Sequence, residues 1–280
     1  MSPETRPAAD AVPAPRQTLR DAFAELFAFG LKNAVSCVFP VFVFGMLAIT
    51  KHAGALPMAR YDLLFLACVA FQALMVAVRL ETLDELKVVC VFHGLGLGLE
   101  LFKVHVGSWS YPDPALFSAG GVPFFSGFMY ASVASYMIQA WRRFDLELVG
   151  WPRARVVVPL GAAIYANFFT HHLIPDLRWA LTAVVIVATW RTEIRYQAIR
   201  GRVRSMRAPV AFFCIGLFVW FAENIATFLG AWVYPHQSRG WSPVHLMKLS
   251  SWGLLVIITF LIVAELRRLK DRRPTRTDRA

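Results

Sequence analysis

The chain contains 280 residues, of which 57% are hydrophobic and 17% charged, and its mean hydropathy is +0.51. Soluble domains carry roughly 25% charged residues. Here the apolar residues instead gather into about eight stretches near the ~17 to 25 residues that a bilayer-spanning helix needs. This composition excludes an ordinary water-soluble domain and predicts an all-α, polytopic bundle of transmembrane helices.

The chain begins with residues 1–20, a Pro-, Ala- and Arg-rich segment without the apolar core of a signal peptide, which predicts a disordered cytoplasmic tail. Residues 21–30 predict an interfacial helix capped by Asp21. The predicted spans follow at 31–50, 61–80, 86–106, 124–142, 154–172, 176–190, 209–230 and 245–266. We expect a first four-span unit at 21–150, a second at 151–270 and a basic cytoplasmic tail at 271–280.

The net charge of +11 comes from Lys and Arg residues that lie mostly between the spans. With a cytoplasmic N-terminus, the tails and even-numbered loops hold 23 of them and the odd-numbered loops hold four. Cytoplasmic loops of membrane proteins carry such an excess, so we predict a multi-pass protein of the bacterial cytoplasmic (inner) membrane with both termini inside. The basic run Arg191 to Arg207 and the tail from Arg267 are expected to contact inner-leaflet lipids. Because basic loops satisfy this rule by themselves, no nucleic-acid partner is expected.

A motif occurs twice, at residues 100–112 and 223–235. Both copies read Glu-x6-Gly-x-Trp-x-Tyr-Pro, in spans three and seven. Five matches in register predict an internal duplication. Because four spans separate the copies, the two halves should cross in the same direction and be related by a pseudo-twofold axis along the membrane normal. Gly107 and Gly230 are expected to end their helices in the left-handed conformation.

The two glutamates of the motif are the candidate catalytic residues. Glu100 and Glu223 lie seven residues before the terminating glycines, ~10 Å below the helix end at 1.5 Å per residue. A carboxylate there costs several kcal/mol unless it is protonated, paired or hydrated. The functional interpretation is an acid and base pair in one cavity. The structural alternative is a hydrogen bond between helices, or an ion pair with Lys103 or Lys248.

Other polar and aromatic residues cluster at the same level and are candidates for binding a substrate: Lys103, Trp109, Tyr111, Asn167, His171, His172, Asp176, Asn224, Trp232, Tyr234, His245 and Lys248. The adjacent histidines point ~100° apart on a helix and do not favour chelation from one face, so no metal is expected and interfacial histidines are the alternative. No cofactor is expected, since phosphate-binding and paired-cysteine motifs are missing. Gly94, Gly96 and Gly98 are expected to permit close helix packing.

Five long blocks of the sequence carry a resemblance to a known family. They are RLETLDELKVVCVFH (79–93), LELFKVHVGSWSYP (99–112), GGVPFFSGFMYASVASY (120–136), NFFTHHLIPDLRW (167–179) and AENIATFLGAWVYP (222–235). The chain closely resembles the YoaT-type family of bacterial integral membrane proteins, a family of unknown function. The resemblance implies a membrane protein and no particular activity.

A second resemblance is to the lycopene cyclase domain and the related carotenoid hydratases. It is carried by Glu100, Gly107, Trp109, Tyr111 and Pro123, and again by Glu223, Gly230, Trp232, Tyr234 and Pro243. It implies a membrane enzyme that acts on an isoprenoid. The acidic pair that typically follows the cyclase proline is replaced here by Phe124-Phe125 and by Val244-His245.

Three classes of function remain open from the sequence. The first is an enzyme or binding protein for an apolar lipid, isoprenoids included, held between the halves with the glutamates as acid and base. The second is a transporter of a small polar or cationic solute that uses the same glutamates. The third is a structural or signalling membrane protein.

Overall fold

A computed structural model describes residues 18–271, and most of them are helical. The helices are α1 (Leu19–Ser36), α2 (Val38–His52), α3 (Arg60–Ala77), α4 (Leu83–His105), α5 (Ser126–Arg143), α6 (Ala154–Thr170), α7 (Arg178–Thr189), α8 (Ala208–Phe228) and α9 (Lys248–Asp271). A single 3-10 turn covers Pro235–Gln237. The predicted tails at 1–20 and 271–280 lie almost wholly outside the described residues.

The N-terminal helix starts earlier than the sequence predicted, and its cap is a different residue. Thr18 caps α1: its hydroxyl accepts a hydrogen bond from the Asp21 N–H at 3.2 Å, and the Asp21 carboxylate accepts from the Thr18 N–H. The helix runs on to Ser36 and meets α2 at Cys37 with a bend of 63°. The predicted span 31–50 is therefore broken. Pro40 explains the break, because its ring would clash with the Ser36 carbonyl in a continuous helix.

Four of the described helices are long and apolar enough to cross a membrane: α3, α4, α8 and α9. The bent pair of α1 and α2 would be a fifth. The apolar helices α6 and α7 have only 17 and 12 residues, below the ~20 of a typical span. Helix α5 is richer in polar residues and packs against α1, α2, α4 and α9. The chain is thus a helical membrane protein with four or five candidate spans among the described residues by length and composition, and the eight predicted spans stay a prediction.

Two small antiparallel sheets depart from the all-α prediction. Strands β1 (Ser118–Ala119) and β2 (Val122–Pro123) form one, and β3 (Glu147–Val149), β4 (Glu193–Gln197) and β5 (Val203–Arg207) form the other in the order β3-β4-β5. The second sheet contains most of the basic run that was predicted to contact lipid. Arg204 of β5 and Arg202 of the turn before it pair with carboxylates of α1, with Glu25 at 2.6 Å and with Asp21 at 3.0 Å respectively. This sheet is therefore attached to the N-terminal helix.

The helices pack in matching pairs. Helix α4 packs along α5 as α8 packs along α9, α2 contacts α3 as α6 contacts α7, and α2 contacts α5 as α6 contacts α9. Glycine makes the α4–α5 contact close, because a Cβ on Gly96 would lie 2.4 Å from Cγ of Tyr130. This confirms the packing role expected of Gly96, whereas the expectation is wrong for Gly94, where nothing lies within 4 Å of a Cβ. The two motif helices α4 and α8, with the helices that follow them, position the candidate site.

Candidate functional site

Both copies of the motif end their helices in the same conformation. Gly107 has φ +72 and Gly230 has φ +73, a region that glycine adopts without a steric penalty. The next residue closes each turn, since the Ser108 N–H donates to the Lys103 carbonyl and the Ala231 N–H donates to the Ala226 carbonyl, both at 2.9 Å. These are the six-to-one bonds of a Schellman cap. The predicted left-handed helix ends are confirmed.

The two segments that follow these turns meet each other directly. Ser110 and Val233 form an antiparallel bridge, with N···O distances of 3.0 and 2.9 Å. Each of these residues lies between the Trp and the Tyr of its motif. The rings of Trp109 and Tyr234 contact edge to face, with centroids 5.9 Å apart. Ser110 and Val233 occupy equivalent positions in the two motifs, and a twofold axis between them would produce such an antiparallel pair. The two motifs therefore lie side by side and not at opposite edges of the helical bundle.

Glu100 is buried and its carboxylate accepts three hydrogen bonds. Trp109 Nε1 donates to Oε2 at 2.7 Å and the Tyr111 hydroxyl donates to the same oxygen at 2.6 Å. The Tyr130 hydroxyl, on the next helix α5, donates to Oε1 at 2.7 Å. The side chain therefore links α4 to the motif turn and to α5. This geometry agrees with the hydrogen-bonded alternative for this residue, and it keeps the carboxylate inside the site.

Glu223 is buried in a similar way but accepts two hydrogen bonds. The Tyr234 hydroxyl donates to Oε1 and Trp252 Nε1, on α9, donates to Oε2. Tyr234 occupies the motif position of Tyr111, and Trp252 lies on the helix that follows, as Tyr130 does in the first half. Each glutamate is thus held by its own motif tyrosine and by an aromatic donor from the following helix.

The ion pairs of the glutamates with Lys103 or Lys248, one of the structural alternatives, are not present among the residues whose side chains the structure describes. Lys103 Nζ contacts Nε2 of His171 at 3.2 Å and Nε2 of His172 at 3.1 Å. His171 Nδ1 contacts the Asn167 carbonyl at 2.8 Å, so this nitrogen is the donor and Nε2 is free to accept from Lys103. Lys248 Nζ lies over the rings of Trp109 and Tyr234, at 5.0 and 4.7 Å from the centroids.

The loop after α6 keeps its histidines neutral and its aspartate charged. Burial lowers the pKa of His171, with the Asn167 carbonyl acting in the opposite direction, and burial and the Lys103 charge lower the pKa of His172. Burial acts to raise the pKa of Asp176, but hydrogen bonds from Arg178 and Asn167 outweigh it and lower that pKa. Neutral histidines are acceptors for an ammonium group.

A cavity of about 910 Å³ contains both glutamates in its wall. It is lined mainly by apolar side chains of α1, α2, α5, α8 and α9 and of the β4–β5 hairpin, together with Trp109 and Trp232. The lining follows α8 from Val210 to Ala226, about 24 Å at 1.5 Å per residue. The volume is at the upper end of the ~300 to 1,000 Å³ of ligand pockets.

A second, smaller pocket of about 120 Å³ adjoins this cavity. Trp109, Tyr130, Tyr234 and Trp252 line both spaces. The smaller pocket is also lined by basic and polar side chains: Lys103, Ser108, Asn167, His171, Arg178, Lys248 and Ser251. We call it the basic pocket. No acidic residue is among the residues that line it.

Several candidate residues lie beside these spaces without lining either one. Tyr111 lies behind Glu100, His172 contacts Lys103 from outside, and Asp176 pairs with Arg178 at 2.5 Å. Asn224 holds the Val244 N–H at 2.9 Å and His245 accepts from the Met247 N–H at 3.3 Å, so both order the loop before α9. Within residues 18–271, no group of three His, Cys, Asp or Glu side chains is placed to hold a metal ion.

Two polar residues were not singled out from the sequence. Trp252 donates to Glu223, but it follows its motif at a different spacing from Tyr130, so the repeat alone does not reveal it. Glu81, in the turn before α4, is 1% exposed and accepts hydrogen bonds from Gln72 and Ser135. Its position between two spans gave no signal of burial. Glu81 does not line the cavity.

Fold and site together define a helical membrane protein with two buried carboxylates at an aromatic centre. Residues 25–260 match the family described as "Protein of unknown function (DUF817)". The chain is 53% identical over 257 residues to "Uncharacterized protein YoaT" of Bacillus subtilis (strain 168). This alignment covers 92% of this chain and 97% of that protein. The chain belongs to this DUF817 family, as the YoaT-type resemblance predicted.

No solved structure matches the chain. Neither the family match nor the relative supports the second resemblance, to the lycopene cyclase and carotenoid hydratase enzymes. Because a shared fold does not define an activity, the function has to be argued from the geometry of the cavity and its polar centre.

Proposed function

We propose that this protein binds an apolar lipid between two halves of a duplicated helical bundle and acts on it through Glu100 and Glu223. The observation that carries the proposal is that both carboxylates lie in the wall of one largely apolar cavity of about 910 Å³. Two buried carboxylates that served only as braces would have no reason to face a shared space. Isoprenoids are one class of lipid with a suitable apolar body.

In this proposal the cavity lies at the interface between two repeats of the helical bundle. Helices α2–α5 form the first repeat and α6–α9 the second, each crossing the membrane four times. The matching helix contacts and the bridge between Ser110 and Val233 support this arrangement. Sites shared by two repeats lie at their interface. The distribution of Lys and Arg supports cytoplasmic termini, so reporter fusions at Asp113 and Gln237 should report the outer side and a fusion within 191–207 the inner side.

The route into the cavity favours a lipid over a water-soluble molecule. The lining includes Leu26 of α1, which is 67% exposed, and Phe218 of α8, which is 63% exposed. Residues that line the cavity and also reach the surface mark an opening between α1 and α8. Since the surface on both sides of it is apolar, a lipid tail can enter from the bilayer without crossing water.

The two glutamates differ in how free they are to exchange a proton. Glu100 accepts three hydrogen bonds and Glu223 two, whereas an ionised carboxylate has about four acceptor positions. In this proposal Glu223 exchanges the proton, and Glu100 stays ionised and stabilises positive charge that develops on the substrate. The faces of Trp109 and Trp232, both in the cavity wall, stabilise the same charge.

One observation favours the transport of a cationic solute as a second candidate function. Trp109, Tyr130, Tyr234 and Trp252 surround the carboxylates with aromatic rings. Rings and carboxylates together form a common environment for an organic cation. In this alternative the glutamates bind the solute, and no lipid is altered.

The test compares lipid extracts from cells that lack the protein with extracts from cells that produce wild type, Glu100→Gln or Glu223→Gln. Glutamine keeps the shape and much of the hydrogen bonding but cannot exchange a proton. We expect an altered lipid species in the deletion strain that wild type reverses. Glu223→Gln should lose at least about a hundredfold in activity, a typical contribution of acid–base catalysis, and Glu100→Gln should lose about as much because it removes the charge that stabilises the substrate. Both variants should fold and insert.

Glu81→Gln is the matched control, because Glu81 is equally buried but braces Gln72 and Ser135 away from the cavity. It should keep the lipid activity. Unchanged lipids in all strains, together with uptake of a cationic solute by reconstituted vesicles that depends on Glu100 and Glu223, would overturn the proposal and establish transport. Loss of function that merely follows loss of folded protein in all three variants would make the glutamates structural.

A further inference from the structure

The basic pocket contains positive charge that the proposed acid–base chemistry does not use. Lys103, Arg178 and Lys248 line it, and His171 completes its basic side. Arg178 is paired with Asp176, at 2.5 Å. Among the ion pairs of residues 18–265, whose side chains the structure describes, none includes Lys103 or Lys248. Two ammonium groups therefore face one small space with no carboxylate within 4 Å, and the carboxylates that act on them, Asp176 on Lys103 and Glu223 and Glu100 on Lys248, do not line the pocket.

Burying such charges is costly unless something compensates them. Lys103 is only 5% exposed, and its two histidine contacts satisfy hydrogen bonds without supplying negative charge. Lys248 is held over two aromatic rings, which compensate only part of a desolvated charge. A buried charge persists when it is paired or coordinated. An anion in the pocket would add to this compensation, and the pocket's about 120 Å³ equals roughly four water molecules at ~30 Å³ each, enough for a phosphate or a carboxylate group.

The same four aromatic side chains, Trp109, Tyr130, Tyr234 and Trp252, line the basic pocket and the apolar cavity. A single molecule that occupied both spaces would have to pass between these rings, beside the two glutamates that accept hydrogen bonds from them. Such a molecule is apolar over most of its length and carries an anionic group at one end. The glutamates would then face the junction between its apolar and its charged part.

We infer that the ligand is an anionic amphiphile, whose phosphate or carboxylate binds Lys103 and Lys248 in the basic pocket while its apolar chain fills the large cavity. This inference rests on the proposed function, because it names the substrate class of the same cavity. Free inorganic anion is the other source of the same chemistry, and it would occupy the basic pocket alone.

Binding measurements on the full chain in phosphatidylcholine nanodiscs test the inference with three probes: hexadecyl phosphate, hexadecanol and inorganic phosphate. The variants are Lys103→Gln, Lys248→Gln and Lys248→Arg. Lys87→Gln is the control, since Lys87 is 77% exposed and pairs with Asp84 far from the pocket. We expect each Gln variant to weaken hexadecyl phosphate binding at least tenfold with hexadecanol binding unchanged. Lys248→Arg keeps the positive charge and should weaken hexadecyl phosphate binding less than Lys248→Gln does, and Lys87→Gln should bind both probes as wild type does.

Each outcome decides between the two ideas. If hexadecanol and hexadecyl phosphate bind equally well and neither Gln variant changes this, the anionic head is wrong while the lipid cavity stands. If neither long-chain probe binds, the proposed function fails as well. If inorganic phosphate binds in a Lys-dependent way and the chain adds no affinity, the pocket takes a free anion and the amphiphile is overturned. Thermal unfolding of each variant in the same nanodiscs identifies any loss that comes from misfolding.

Discussion

The two copies of the motif share one backbone geometry but differ in how their glutamates and helix ends are held. In the first copy the carboxylate of Glu100 is held by three donors, among them Trp109 of its own turn. In the second copy Glu223 has two donors, and Trp232, at the position of Trp109, lines the cavity without being one of them. The same turn thus accompanies a carboxylate with three donors in the first copy and a less constrained carboxylate with two donors in the second.

At the ends of the motif helices α4 and α8 it is the second copy that has the additional hydrogen bonds. Arg60 of α3 donates to the carbonyls of Leu229 and Gly230, at 2.7 and 2.9 Å, and so clamps the end of α8. At the end of α4 the corresponding region carries the contact of Lys103 with two histidines. The first motif is therefore stabilised at its carboxylate and the second at its backbone. The repeated motif therefore produces the same turn in both places. The contacts that distinguish the two copies come from residues of other helices.

The largest expected effect tests how strictly the Glu100 site depends on α5. In Gly96→Ala the new Cβ would lie 2.4 to 2.6 Å from three atoms of Tyr130, including its own Cβ, so the ring cannot simply swing aside. Overpacking of this kind costs ~1 to 3 kcal/mol, and loss of the hydrogen bond to Glu100 adds ~1 to 3 kcal/mol. We expect a loss of about 3 kcal/mol in the free energy of unfolding, measured by denaturant titration in detergent micelles.

Gly94→Ala provides the control on the same helix, because nothing lies within 4 Å of a Cβ at Gly94. There alanine should be neutral or stabilise the helix by up to ~1 kcal/mol. Equal effects of the two substitutions would show that α4 and α5 do not pack closely at Gly96. The third hydrogen bond of Glu100, from Tyr130 of α5, would then be in doubt, and with it the difference between the two glutamates.

A smaller effect is expected at the helix ends, where the second motif should be the more sensitive. Both motif glycines have positive φ, so alanine at either position costs about 1 to 2 kcal/mol. A Cβ at Gly230 would in addition lie 3.4 Å from Arg60 Nη1, whereas a Cβ at Gly107 meets nothing within 4 Å. Unfolding titrations should therefore give a larger loss for Gly230→Ala than for Gly107→Ala. The reverse order would refute the clamp by Arg60.

The smallest expected effect is the pH dependence of stability caused by His171 and His172, which contact Lys103. The second motif has no such contact, because Ala226 occupies the position of Lys103. The pKa of His171 and of His172 is below its ordinary value of 6.5, chiefly through burial. The unfolded chain therefore takes up protons at these sites at a higher pH than the folded chain does. Stability contributed by the neutral histidines is present above pH 6.5 and is lost as the pH falls below it.

Melting temperatures between pH 7.5 and 5.5 measure this loss. The charges of Lys103, Arg178 and Asp176 also act on the histidines, so a variant that lacks both histidines is needed to isolate their contribution. The double variant His171→Gln/His172→Gln should show a flatter pH dependence than wild type. The same slope in both proteins would mean that other groups cause the acid sensitivity.

Much of the fold follows from the sequence, because apolar length and turn chemistry are local properties. The predicted stretches from 61–80 onward coincide with helices α3 to α9, and the glycine caps form as expected. The first stretch fails at Cys37, since Pro40 was not interpreted as a break. The β3-β4-β5 sheet was missed because basic residues in its strands were attributed wholly to the membrane surface.

What the sequence by itself determined is the family, the helical membrane class and the two glutamates with their repeated turn. Only the tertiary structure decided what surrounds those glutamates: three donors at Glu100 and two at Glu223. It also decided that one cavity holds both and that Lys103 turns to the histidines of another loop. The physical reason is that donors such as Tyr130 and Trp252 come from neighbouring helices, and their approach depends on packing between helices, which no local pattern of residues encodes.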